Sequence, residues 1–133
     1  MPIKPTSFSK TRADHASETA EDYVEAISDI LNRQSECRVK DLARFMDVSH
    51  VTVTRTLQRL NGEGLVDKDP YGPCRLTEQG RRMARQAQER HAIVLAFLQH
   101  IGVPEHEAIA DAEGIEHHVG KATLSAMQQH LDH

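Results

Sequence analysis

The chain has 133 residues, with 16 Lys and Arg against 20 Asp and Glu for a net charge of −4, and is 38% hydrophobic with three Phe, two Tyr and no Trp. That length suits one small core, or two that share the chain, and that composition suits a helical protein with an aliphatic interior. No eighteen-residue apolar run or signal-type segment occurs, which argues for a cytoplasmic protein with no membrane partner, and the negative net charge argues against indiscriminate polyanion binding.

Residues 1–17 carry Pro, Ser, Thr and Lys without apolar periodicity and are expected to form a flexible arm. A helix is expected from near Thr19, with Tyr23, Val24, Ile27, Ile30 and Leu31 at helical spacing. "VKDLARFMD" supplies a second helix that turns Val39, Leu42, Ala43 and Met46 inward. After a turn of three or four residues, Ser49 is placed to cap a third, "HVTVTRTLQRLNGEG", which Gly62 and Gly64 close. "VTVT" is β-branched and by propensity suits a strand. Val53, Leu57 and Leu60 nevertheless fall at helical spacing behind a capping residue, so helix is the reading. "LVDKD" and "CRLTEQG" flank "PYGP", a turn that would join two short antiparallel strands. Helix, turn, helix, hairpin is the order of a winged helix-turn-helix, here over residues 18–78.

From Gln79 to Ile101 a long helix presents Met83, Ala87, Val94, Leu95, Leu98 and Ile101 on one face, with His91 among them. Gly102 stops it, Pro104 opens a short acidic helix, and after Gly120 "ATLSAMQQHL" offers Leu124, Met127 and Leu131 to a partner. The fold class is therefore mainly α with one β-hairpin, and residues 79–133 form a second, helical domain. Cys37 and Cys74 have no CxxC partner and read as two reduced structural thiols.

Charge divides along the same boundary. Between Arg38 and Arg59 the cations Arg38, Lys40, Arg44, Arg55 and Arg59 outnumber Asp41 and Asp47, whereas after His100 six acids face only Lys121. Partners of opposite charge are suggested for the two halves.

Within the acidic half, Glu113, Glu116 and His117 stand at i, i+3 and i+4, a spacing that lets three side chains converge on one side of a helix. An ordinary solvated acidic face has the same pattern. Asp22 and Glu25 repeat i, i+3 on the first helix, where a capping box begun by Thr19 is the plainer reading, and His91 also fits a satisfied core histidine. Taken together, the four carboxylates would repel one another unless a divalent cation reversed the sign. Oxygen and imidazole donors without a thiolate favour Mn(II) or Fe(II) over Cu(I), while zinc and cobalt would also bind, since geometry and not raw affinity must exclude them. Gly114, inside this helix, suggests close approach of a neighbouring backbone.

"EDYVEAI", "VSHVTVTRTLQRLNGEGLV", "ERHAIVLAFL" and "DAEGIEHH", in that order, resemble the diphtheria toxin repressor superfamily in its manganese-responsive MntR type, over about residues 18–131. The resemblance implies a metal-binding and dimerisation domain over residues 79–133, a homodimer, and a palindromic double-stranded operator. It also implies a binuclear site, two Mn(II) per subunit with bridging carboxylates, held by Asp22, Glu25, His91, Glu113, Glu116 and His117. Iron-responsive relatives carry Met at the position of Asp22 and Cys at that of Glu116, so both positions here are of the manganese type. Fe(II), Co(II), Zn(II) or Cd(II) are expected to substitute. The chain departs from the pattern in its longer N-terminal arm, and the SH3-like third domain of the iron-responsive relatives is not expected in it, as in the manganese type. His118 adjoins His117 but points elsewhere on a helix and is left out of the set.

A recognition helix sets its N-terminal residues against base edges while neighbouring cations and hydroxyls hold phosphates. Ser49, His50, Thr52, Val53 and Arg55 occupy those positions, and Arg55 suits either a guanine edge or a phosphate. Lys68 and Arg75 in the wing, with Arg38 and Lys40 at the second helix, are phosphate candidates. The function expected is a manganese-dependent transcriptional regulator, a repressor of manganese uptake, with no enzymatic activity and no organic ligand. Three alternatives stay open: an Fe(II)-responsive regulator, a binuclear metallohydrolase, for which no further acid, base or oxyanion donor is found, and a metal-independent winged-helix regulator.

Overall fold

The computed structural model describes residues 6–133, with side chains from His15 onward. The chain is mainly helical and divides into two compact units, Thr19–Arg85 and a second made of Gln86–His133 with the segment ending at Glu18.

The first helix, α1, runs Thr6–Arg33 and so starts well before Thr19. Its early residues after Pro5 include neither Gly nor Pro, so nothing in them breaks a helix even though no apolar stripe announces one. Thr19 is therefore an interior residue, and the capping-box explanation of Asp22 lapses. Of the expected flexible arm, residues 1–5 lie outside the described residues, and residues 6–17 are helical.

In the unit Thr19–Arg85, α2 (Val39–Met46) and α3 (His50–Gly62) form the helix-turn-helix. The Arg38 N–H donates to Asp41 Oδ2 at 2.9 Å, opening α2, and Asp47 ends it in the left-handed region at φ 55°. Ser49 Oγ accepts the Thr52 N–H at 3.1 Å, so the cap read from the sequence forms and "VTVT" is helical. The strands β1 (Val66–Lys68) and β2 (Cys74–Leu76) pair antiparallel, Val66 opposite Leu76 and Lys68 opposite Cys74, to make the wing. The core gathers Val24, Ile27 and Ile30 of α1, Leu42 of α2, Val53, Leu57 and Leu60 of α3, and Val66 and Leu76 of the wing.

Cys37 and Cys74 are free, buried members of this core, opposed across an isolated antiparallel bridge in which the Cys74 N–H donates to the Cys37 carbonyl at 2.8 Å. The Cys37 thiol donates to Cys74, which together with burial pushes Cys37 up, and the same hydrogen bond holds Cys74 below its usual range against the opposing effect of burial. Gly80 in α4 (Glu78–His100) is required by close approach, since a Cβ there would lie 2.1 Å from the Leu65 carbonyl oxygen.

In the other unit, α4 continues to His100 and is followed by α5 (Glu105–Ile115) and α6 (Lys121–Leu131). Ala87, Val94, Ala108 and Ala112 are buried, whereas Ile101 is 55% exposed, against its expected place on the apolar face of α4. Leu124, Met127 and Leu131 of α6 are half-buried, leaving apolar surface along that helix. No described helix is long and apolar enough to cross a membrane.

Candidate metal centre and nucleic-acid interface

The acidic segment is not one helix. α5 ends at Ile115, and Glu116 and His117 lie in the turn beyond it, Glu116 keeping helical dihedrals and donating its N–H to the Ala112 carbonyl at 3.0 Å. Glu116 therefore continues the i, i+4 stripe of Ala108 and Ala112, which is why it is only 2% exposed while Glu113 stays at the surface. Its Oε2 accepts a hydrogen bond from His91 Nδ1 of α4, and its Oε1 lies 3.5 Å from Nε2 of the buried His117. Burial lifts the Glu116 carboxyl above its usual range; the His91 hydrogen bond and the His91 and His117 imidazoles oppose that rise, and Glu113 adds to it.

Glu18 was not singled out in the sequence. It brings a carboxylate oxygen within 4.8 Å of a ring nitrogen of His117, and its Oε2 lies 3.3 Å from His118 Nε2. The signal available was its i, i+4 spacing to Asp22, masked by the expectation that the helix begins only at Thr19. His118, set aside in the sequence, is thus engaged by Glu18. Asp22 and Glu25 stand one turn apart on α1, half-buried, in the other compact unit. Among the described residues nothing lies within 4 Å of where a Gly114 Cβ would stand, so none of them makes the close approach expected there.

A buried carboxylate held between two imidazoles, with a surface carboxylate beside it, is a donor set that fits a divalent cation of the manganese or iron kind. Neither a thiolate nor a thioether belongs to it.

On the helix-turn-helix, a groove between α2, the outer face of α3 and the wing is lined by Arg38, Lys40, His50, Thr54, Gln58 and Lys68, among others, with no carboxylate among the described residues of its lining. Four expected DNA-binding residues, Arg38, Lys40, His50 and Lys68, meet there, and Thr54 and Gln58, spaced i, i+4 and i+8 from His50, were missed. Thr52 and Arg55 are exposed on α3, and Arg75 on the wing lies 3.8 Å from Asp69. Ser49 is engaged in the cap. Val53 is a correction: it is fully buried in the core and cannot reach a base edge. The exposed valine of α3 is Val51, at 60%. Its separation from the Val53, Leu57, Leu60 phase was already visible in the sequence.

The chain matches the profile of the iron dependent repressor N-terminal DNA binding domain over residues 15–73 and that of the iron dependent repressor metal binding and dimerisation domain over residues 77–133. It is 41% identical over 121 residues to the transcriptional regulator MntR of Escherichia coli O6:H1, spanning 91% of this chain and 78% of that one. Among solved structures it resembles a manganese-dependent transcriptional repressor in complex with manganese, at 30% identity and a TM-score of 0.75, over 85% of this chain and 52% of that one. It also resembles ScaR with bound Zn2+, at 28% identity and a TM-score of 0.74, over 85% of this chain and 53% of that one. The chain thus spans about half the length of these two solved proteins. With both halves of the profile matched, the chain belongs to the iron dependent repressor family of metal-dependent, DNA-binding transcriptional regulators.

Proposed function

We propose that this protein is a cytoplasmic, homodimeric repressor of manganese uptake whose binding to a palindromic operator depends on Mn(II), two ions per subunit. The observation that carries the reading is the buried Glu116 carboxylate set between His91 and His117, an arrangement that is uncomfortable without a cation. Bound Mn(II) would supply the positive charge that these carboxylates lack. Asp22 and Glu25 of the DNA-binding unit, with His91, Glu113, Glu116 and His117 of the other, are the residues proposed to hold it. Sharing one ligand set would make the two units hold a single arrangement, and a dimer so fixed would present two recognition helices to half-sites about one helical turn, roughly 34 Å, apart. Lys40, Lys68 and Arg38 neutralise phosphates, while His50, Thr52, Thr54 and Arg55 face the bases.

The test is duplex binding, followed by fluorescence anisotropy, in Mn(II), Fe(II), Co(II), Zn(II), Cd(II) and chelator, with Asp22→Met and Glu116→Cys beside the wild type. Binding in Mn(II) that chelator abolishes, and that the two variants shift toward Fe(II) or Zn(II), supports the reading. Binding indifferent to chelator refutes it, and binding in Fe(II) alone points to an iron sensor with the same ligands.

A further inference from the structure

The wing turn places one side chain where no packing accounts for it. The Gly72 N–H donates to the Asp69 carbonyl at 3.0 Å, closing a turn in which Tyr71 takes the third position at φ 60°. That left-handed position belongs to glycine in a type II turn and is strained for a bulky aromatic residue. Glycine is instead required one residue later, because a Cβ on Gly72 would come within 2.9 Å of Asp69 Cβ. Tyr71 gains no packing in return: it is 101% exposed. Its backbone is tied in, since Arg38 Nη1 donates to the Tyr71 carbonyl at 3.5 Å while Arg38 Nε is held by Glu36 at 3.1 Å. Tyr71 also stands on the rim of the groove that holds Lys40, His50, Thr54, Gln58 and Lys68.

An exposed aromatic in a strained backbone position, anchored beside a basic groove, is a feature that folding does not explain. We propose that Tyr71 is a DNA-contact residue whose ring packs on the sugar-phosphate backbone next to the recognition helix, with its hydroxyl donating to a phosphate oxygen. This rests on the reading of the chain as a manganese-loaded DNA-binding protein. The contact adds no cation, so it contributes affinity without releasing counterions, unlike Lys68 on the same wing.

The experiment uses the full chain loaded with Mn(II) and a duplex recovered by the wild type from a randomised pool. Tyr71→Gly removes the ring and suits the left-handed backbone. The inference expects a thermal midpoint that is unchanged or raised, affinity lowered roughly ten-fold, and an unchanged slope of log affinity against log salt. Lys68→Ala, by contrast, should lower that slope by about one. Tyr71→Phe, which keeps the ring and loses the hydroxyl, should recover only part of the loss. In a Tyr23→Phe background Tyr71 is the sole tyrosine of a chain without tryptophan. Among the described residues the buried Tyr23 hydroxyl has no hydrogen-bond partner, so Phe is suited to its place. Acrylamide quenching of Tyr71 fluorescence should then fall when duplex is added. Wild-type affinity in Tyr71→Gly, or quenching unchanged by duplex, overturns the inference alone. A wild type that recovers no duplex in Mn(II) overturns it together with the reading on which it rests.

Discussion

Glu116→Gln separates a cation site from an ordinary structural ion pair, because the two predict opposite signs. The Glu116 carboxyl is raised in the folded protein, mainly by burial, so its neutral form is favoured there. The sign follows from linkage. The cost of ionising it is absent below the ordinary carboxyl value of 4.5, grows as pH rises through that value, and is complete above the raised one. Gln keeps an acceptor for His91 and removes the charge. Each tenfold bias toward the neutral acid is worth about 1.4 kcal/mol, and in a chain of this size that moves the midpoint by roughly 4 °C. Metal-free Glu116→Gln should therefore melt higher than the wild type at pH 7, by roughly 4 °C for each such tenfold, and no higher at pH 4. With Mn(II) at a hundred times its Kd, the wild type gains about 2.7 kcal/mol, whereas a hundredfold loss of affinity leaves the variant about 0.4. Thermal melts in chelator and in Mn(II), at both pH values, read all of this. A metal-free variant that melts lower at pH 7, with an undiminished Mn(II) gain, would show that Glu116 and His91 form a stabilising pair with no part in metal binding.

Four further substitutions test the winged unit. Val53→Ala should cost about 2 kcal/mol in a denaturant melt because Val53 is fully buried, whereas Val51→Ala should leave the melt unchanged and weaken duplex binding in an anisotropy titration. Gly80→Ala should lower the midpoint sharply, since its Cβ cannot share space with the Leu65 carbonyl. Ser49→Ala, which removes the acceptor of the Thr52 N–H, should cost about 1 kcal/mol in the same melt.

The winged helix-turn-helix was legible because each element carries its own local signal: Ser49 before α3, apolar helical spacing through Leu57 and Leu60, and Pro and Gly at the wing turn. What stayed hidden has physical causes. The sequence at the start of α1 has no apolar periodicity to betray a helix, so residues 6–17 read as an arm and Glu18 escaped notice. Glu113, Glu116 and His117 were expected on one helix, but the end of α5 at Ile115 gives them different environments, and only the phase of Ala108 and Ala112 identifies Glu116 as the buried one. "PYGP" announced a turn without telling that Tyr71, and not Gly72, takes the left-handed position, because that depends on the approach of Asp69. Val53 satisfied two patterns at once, core spacing and the start of a recognition helix, and burial decides for the core.

Isothermal titration of Mn(II) into the protein, alone and in complex with a selected duplex, tests the coupling most directly. If one ligand set joins the DNA-binding unit to the metal-binding one, DNA must tighten Mn(II) by the factor by which Mn(II) tightens DNA, about 5- to 150-fold. Equal Mn(II) affinity in the two titrations would contradict the account.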